Sequence, residues 1–352
     1  MLEMLLRQVS EKEENVLKGE KITLWQEGEY HYPEAYGFVP FMISYIHEDD
    51  EIHPAMIVVP GGAYRNVSPS EGHLPAEEFY RAGCNVFVLA YTVNLLDEPL
   101  KLQPLQDISR AVRLIRRNAE KYSVDPSKLA LCGFSAGGHL CASLCVHYGD
   151  IIDAEPEYQS ISNRPDAAVL AYPVITSGEY AHRDSITALL GSNPSEDELE
   201  YMSLEKHVTS DTPPCFLWQT VTDATVPVEN SYLFAQACRK NGVRFAHHVF
   251  SEGVHGLSVA TERWLERDFG VPYTLEQIRI LAEAISAGET KYRQEKGAEI
   301  LADFGLNGQK KEKWSPEIKE EIKASLKETG IWLRLAEDWL DRIWADSLRQ
   351  CR

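Results

Sequence analysis

From residue 38 onward, short apolar runs alternate with amphipathic stretches, and the period of each run decides what it can form. Residues 41–46 (FMISYI) alternate weakly and end at the acidic turn Glu48-Asp49-Asp50-Glu51, whereas residues 55–59 (AMIVV) are continuously apolar, as in a strand covered on both faces. These two runs predict a two-stranded edge leading into a buried sheet. Residues 85–90 (NVFVLA) predict a strand. Residues 107–122 predict a helix with Ile108, Ala111, Val112 and Ile115 on one face, and residues 129–132 another strand. The series continues with a small-residue helix over 136–147, strands over 167–171 and 215–218, a helix over 228–241 and a strand over 245–250. Such alternation predicts an α/β fold with a doubly wound, mostly parallel sheet.

After residue 256 the texture becomes helical, with segments predicted over 275–287, 316–327 and 331–344. Ser315 and Pro316 supply the N-cap and first position of the second segment. The last segment carries Trp332, Leu335, Trp339 and Ile343 on one stripe, widened by Leu340 and Trp344. That stripe must be covered, either by the sheet or by a second subunit. The expected organisation is an N-terminal segment (1–37), a sheet-based core (38–260), a helical insertion (261–330) and a C-terminal helix on the core (331–352).

Composition narrows the partners. Thirty-five basic against fifty-four acidic residues give a formal net charge of −19, a field that repels nucleic acid and anionic membrane surfaces. No apolar run reaches membrane-spanning length, and the start of the chain lacks a secretory pattern, so a cytoplasmic location is expected. The seven cysteines are odd in number and contain no CxxC, which suits buried thiols in a reducing compartment. Cys141 and Cys145, near His139 and His147, lack structural-zinc spacing and read as core packing.

The chemistry begins at Gly133-Phe134-Ser135-Ala136-Gly137-Gly138, a G-x-S-x-G between a predicted strand and a predicted helix. A turn this tight demands small flanking residues and lifts the serine hydroxyl out of the sheet. A glycine-rich turn with an incidental serine is the competing reading, and the partners decide between them. A serine attacks well only when a histidine takes its proton and a carboxylate fixes that histidine's tautomer. Asp223 follows the strand at 215–218, and His255 follows the strand at 245–250 in the Gly-flanked Gly253-Val254-His255-Gly256. Both therefore fall just beyond strand ends, and Ser135, Asp223 and His255 are the candidate catalytic residues. The loop after residue 59, Pro60-Gly61-Gly62-Ala63-Tyr64, offers the backbone amides of Gly62 and Ala63, which with Ala136 form the expected oxyanion hole. Tyr64, Arg65 and Asn66 after the oxyanion loop, Phe134 before the serine and Val226 after the acid are the candidate substrate contacts. Glu71 and His73 fall in a polar loop near the expected mouth of the site.

Over residues 38–260 the chain resembles the esterase/lipase branch of the α/β-hydrolase superfamily, related to acetyl esterases, acetyl-xylan esterases and bacterial feruloyl esterases. The resemblance rests on Pro60 to Tyr64, on Gly133 to Gly138, on Asp223-Ala224-Thr225-Val226-Pro227-Val228-Glu229-Asn230-Ser231 and on His255-Gly256. It implies a Ser-His-Asp carboxylester hydrolase without metal or cofactor, acting on a small-molecule or oligosaccharide ester and removing a small acyl group, foremost acetyl. Serine exopeptidase or amidase chemistry on the same triad is the alternative, followed by a noncatalytic binding protein. Two departures stand out: Ala63 replaces the usual third glycine, and about 75 residues separate His255 from the last helix. That insert would serve as a cap, a dimerisation arm or padding.

Overall fold

The computed structural model describes Leu17, residues 19–270, 272–308 and 314–350, with side chains as far as residue 345. Residues 1–16 and Cys351 lie outside the described residues. Eight strands form one sheet: β1 (Glu20–Thr23), β2 (Phe41–Tyr45), β3 (His53–Val59), β4 (Asn85–Ala90), β5 (Val124–Phe134), β6 (Ala167–Ala171), β7 (Cys215–Thr220) and β8 (Phe245–Phe250). Their spatial order is β1-β2-β4-β3-β5-β6-β7-β8. The six from β4 to β8 run parallel, while β1 pairs antiparallel with β2 and β2 antiparallel with β4. This is the mostly parallel, doubly wound α/β architecture that the alternation predicts.

The edge differs from expectation. Strand β4 sits between β2 and β3, so those two do not pair, and the edge pair is β1 with β2. Strand β1 reads Glu-Lys-Ile-Thr and is largely exposed, so it carries no apolar period for sequence reading to detect. The described helices that matter most are α1 (His73–Arg81), α2 (Gln103–Arg117), α3 (Ala136–His147), α4 (Arg183–Leu190), α5 (Glu229–Lys240), α6 (Glu276–Ala287), α7 (Glu295–Asp303), α8 (Pro316–Thr329) and α9 (Trp332–Gln350). Helix α2 starts and ends several residues earlier than its apolar face suggests. Pro104 opens it, and Asn118 closes it by bonding back to the carbonyls of Leu114 and Ile115.

Strand side chains alternate between two cores. Ile57, Val59, Leu131 and Leu217 face α2, α3 and α5, whereas Met56, Val58, Cys132 and Phe216 face α1 and α9. Trp332, Trp339, Leu340, Ile343 and Trp344 are buried on this second face, with Trp332 stacked on Trp218 at 5.1 Å and Trp339 beside Phe216. The aromatic stripe of the last helix is therefore covered by the sheet. Helices α6 and α7 share a small core of their own, built from Leu275, Ile278, Leu281, Ile285 and Ile300 with Leu96. Gln277 ties it to the body by accepting from Val93 N–H at 2.9 Å and donating to Val93 C=O at 2.6 Å. The six described cysteines are all buried and unpaired. No described helix is long and apolar enough to cross a membrane.

Candidate active site

Because β3, β5, β6, β7 and β8 are parallel, the segments that follow them emerge at one edge of the sheet, where open α/β sheets place ligands. Ser135 follows β5 and opens α3 with φ 53° and ψ −118°, a strained conformation for a residue with a side chain. Packing enforces it. A Cβ on Gly137 would lie 2.1 Å from Val59 O, and one on Gly133 would lie 2.4 Å from Gly137 O, so only glycine fits on either side. The Ser135 amide donates to Ala171 O at 3.0 Å, fixing the elbow to β6.

Ser135 Oγ lies 2.8 Å from His255 Nε2, and His255 Nδ1 lies 2.7 Å from Asp223 Oδ2. Asp223 Oδ1 accepts the amides of Thr225 and Val226, each at 2.9 Å, which fixes the carboxylate's rotation. The three residues singled out from sequence are thus brought into one hydrogen-bonded chain. Asp223 is almost wholly buried, while His255 keeps about a sixth of its side chain exposed toward the cavity.

Opposite the serine lies the loop after β3. Gly62, Ala63 and Tyr64 all have positive φ, at 118°, 56° and 59°. The turn is closed by the Arg65 and Asn66 amides, both donating to Gly62 O. Ala63 thus adopts a left-handed conformation that a glycine would take more easily. Among the described residues, no protein acceptor takes the amide hydrogens of Gly62, Ala63 or Ala136. Such unpaired donors at a helix start and a tight turn are what a developing oxyanion needs.

Two buried networks hold this loop. Gly61 N–H donates to Glu71 Oε2 at 2.8 Å, and Glu71 Oε1 accepts from Tyr172 OH at 2.8 Å. The Tyr172 oxygen accepts the Ser258 amide at 3.1 Å, and its ring meets His255 edge-on at 4.9 Å. One carboxylate therefore joins the oxyanion loop to the histidine loop. Burial raises the Glu71 pKa, while its bond from Tyr172, the proximity of His255 and the Gly61 amide pull in the other direction. In the second network Tyr64 OH donates to His139 Nδ1 at 2.8 Å. Burial pushes the His139 pKa down to about 4, so the ring is neutral near pH 7, and its Nε2–H donates to Met202 O at 3.3 Å.

These networks revise the expected substrate contacts. Arg65 and Asn66 line the cavity beside Ser135, but Tyr64, Phe134 and Val226 do not. Tyr64 is turned inward to His139, Phe134 lies on the sheet face against Tyr172 and Trp332, and Val226 is buried with its amide on Asp223. Glu71 is not in a solvated turn, and His73 begins α1, where it bonds Tyr45 OH and Glu77. The cavity, of about 800 Å³, is also lined by Ser68, Ser70, His182 and Thr225 and, from beyond the histidine, by Trp264, Arg267, Phe269, Trp314, Ile318 and Ile322. Sequence reasoning missed this last group, because nothing local in the tail points toward a serine some 130 residues or more upstream. No group of three or more potential metal ligands occurs among the described residues.

A mostly parallel sheet with a serine elbow at its carboxyl edge defines the class as α/β-hydrolase. Within it the chain belongs to the BD-FAE family, which matches residues 43–238, over half of its length. It is 53% identical over 255 residues to endo-1,4-beta-xylanase B of Butyrivibrio fibrisolvens, covering 72% of this chain and 40% of that protein. It is 29% identical over 213 residues to an acetylxylan esterase of Xylanibacter ruminicola, covering 59% of this chain and 42% of that protein. The chain thus spans about two-fifths of the length of these curated relatives. Among solved structures it is similar to an acetyl ester-xyloside bifunctional hydrolase from Caldicellulosiruptor lactoaceticus, with 38% identity, a TM-score of 0.66, and coverage of 73% of this chain and 96% of that one.

Proposed function

We propose that the protein is a serine carboxylester hydrolase that removes a small acyl group, foremost acetyl, from a hydroxylated carbohydrate. The observation that carries this reading is the continuous chain Ser135 Oγ, His255, Asp223 at the carboxyl edge of the sheet. His255 Nε2 takes the Ser135 proton as Oγ attacks the ester carbonyl. Asp223 holds Nδ1–H and stabilises the imidazolium that forms. The amides of Ala136, Gly62 and Ala63 receive the oxyanion, each such donor being worth about 3–4 kcal/mol. His255 then returns the proton to the leaving alkoxide, and a water activated by the same ring hydrolyses the acyl-enzyme.

The carbohydrate part of the reading is supported by relatives named for xylan and acetylxylan. The methyl of Ala63, on the oxyanion loop, narrows the acyl side and favours short acyl groups. The test is hydrolysis of p-nitrophenyl esters from acetate to octanoate by the wild type and Ser135→Ala. A Ser135-dependent optimum at acetate or propionate is expected. Equal turnover by Ser135→Ala would refute the mechanism. An optimum at long chains would refute the small-acyl reading, and turnover of aminoacyl amides alone would favour the amidase alternative.

A further inference from the structure

Beside Ser135 and His255 the cavity is lined by a second imidazole, His182, that takes no part in the triad. It stands at the start of α4, on the segment that follows β6, and its side chain makes no capping bond there. Strand β6 lies beside β5 on the side away from β3, so His182 and the oxyanion loop reach the cavity from opposite sides of the serine's strand. The segment that carries it is braced. Asn230, buried in α5, accepts the Ile175 and Thr176 amides at 2.9 and 3.2 Å and donates to Tyr180 O at 2.9 Å. Arg183 reaches back to donate to Ser177 O at 3.3 Å and Gly178 O at 2.9 Å.

The tautomer of the ring follows from its partner. His182 Nδ1 lies 2.9 Å from Ser185 Oγ. Ser185 is fully buried, and among the described residues Nδ1 is the one hydrogen-bond partner of its hydroxyl. A hydrogen on Nδ1 would leave the Ser185 hydroxyl hydrogen buried without an acceptor, so the hydroxyl donates to Nδ1 and the ring carries its hydrogen on Nε2. Among the described residues Nε2 has no protein partner, which leaves its N–H available to a ligand in the cavity that the ring lines. Burial lowers the His182 pKa and nearby His255 lowers it further, against Asp184 and Asp223, so near pH 7 the ring is a neutral donor.

Few atoms of an ester can meet that donor. The carbonyl oxygen goes to the amides of Gly62, Ala63 and Ala136, across the serine from His182, and an acetyl group carries no other acceptor. The bridging oxygen receives its proton from His255. The acceptors that remain belong to the alcohol part. Because the His182 and His255 rings lie close enough to influence each other's charge, the oxygen that fits is the one nearest the bridge, on the adjacent carbon. We propose that His182 is a specificity-determining residue whose Nε2–H donates to an oxygen vicinal to the acylated one, so that esters of alcohols with a vicinal oxygen are selected over plain alkyl esters. This rests on the esterase reading above.

The test measures kcat/KM of the full chain on 2-hydroxyethyl acetate against propyl acetate, and on 2-methoxyethyl acetate against butyl acetate, pairs that match in length and differ by one oxygen. The same ratios in His182→Phe serve as the reference for the intrinsic reactivity of each ester. Both ratios should be about threefold to tenfold higher in the wild type than in His182→Phe, and His182→Gln, which returns an N–H donor on a side chain of similar reach, should recover most of the difference. Equal ratios in wild type and His182→Phe would overturn the proposal while leaving the esterase reading intact. A preference for the hydroxyl but not the methoxy ester would assign recognition to an acceptor such as Asp184, which also lines the cavity, and overturn it as well. If His182→Phe does not fold, the wild-type ratios divided by those of alkaline hydrolysis decide alone. Absence of Ser135-dependent turnover of all four esters would instead sink the reading on which the proposal rests.

Discussion

Replacing Tyr172 with Phe removes one oxygen and leaves the ring that packs on Phe134, Trp218 and His255. That oxygen has two duties, donating to Glu71 Oε1 at 2.8 Å and accepting from Ser258 N–H at 3.1 Å. Glu71 would keep only the Gly61 amide, and a buried amide in the histidine loop would lose its acceptor. A buried group left without its partner costs about 1–3 kcal/mol, with the charged one at the upper end, so Tyr172→Phe should destabilise the fold by about 3–4 kcal/mol at pH 8. The loss should depend on pH, with a sign that follows from Glu71. Its pKa in the folded protein already lies above the ordinary value because of burial, and the Tyr172 bond opposes that rise. Removing the bond raises it further. A carboxyl with a raised folded-state pKa binds its proton more tightly when folded, so stability falls as pH rises through the interval between the unfolded and folded values. The deficit of the variant relative to wild type should therefore be smaller at pH 5 than at pH 8. Urea unfolding of both proteins at the two pH values measures it. A deficit under about 1 kcal/mol, or one larger at pH 5, would show that Glu71 is not the anchor described here.

Two further substitutions probe the same edge. In Asp223→Asn the amides of Thr225 and Val226 will claim the Asn oxygen and leave its NH2 facing His255 Nδ1, which imposes the tautomer that cannot accept from Ser135. Steady-state kinetics should show kcat down by about 10³- to 10⁴-fold with the melting temperature little changed, and near-normal turnover would exclude Asp223 as the orienting acid. In Gly137→Ala the new Cβ would lie 2.1 Å from Val59 O and 2.5 Å from Pro60 O, both backbone atoms. Soluble yield and thermal unfolding should reveal a loss of about 3 kcal/mol or more, and a variant as stable as wild type would contradict the packing described.

The sequence exposes the parallel core and the three candidate catalytic residues for one reason: each lies just past a short, largely apolar strand, and the elbow's glycines admit no other side chain. What stays hidden is direction. Phe134 precedes Ser135 and Val226 lies three residues past Asp223, yet alternation along a strand and a tight loop turn both away into the core. Tyr64 follows the oxyanion amides but spends its hydroxyl on His139. Glu71 and His73 look solvent-facing because the tyrosines that bury them, Tyr172 and Tyr45, come from distant segments, while Glu77, one turn along the same helix as His73, is held by Arg263 from the tail. The pairing of β2 with β4 rather than β3 is likewise a matter of topology, to which local periodicity is blind. The cavity wall built from Trp264, Phe269 and Trp314 is not read from the sequence at all, since its position depends on how the tail folds back.

The indole of Trp332 is wedged against Trp218 and against Phe134, the residue before the strained serine, and its Nε1–H is bonded to Ser258 O at 2.9 Å, in the loop that carries His255. This gives the site a birth order. A ribosome adds about 5–20 residues per second, so on the order of 10–40 s pass between the synthesis of Ser135 and that of Trp332. During that interval Ser135 sits on a nascent chain whose elbow lacks the Trp332 contact, and that long-range contact closes late. On the esterase reading proposed above, ester turnover should therefore arrive as a single late event in translation rather than grow with chain length.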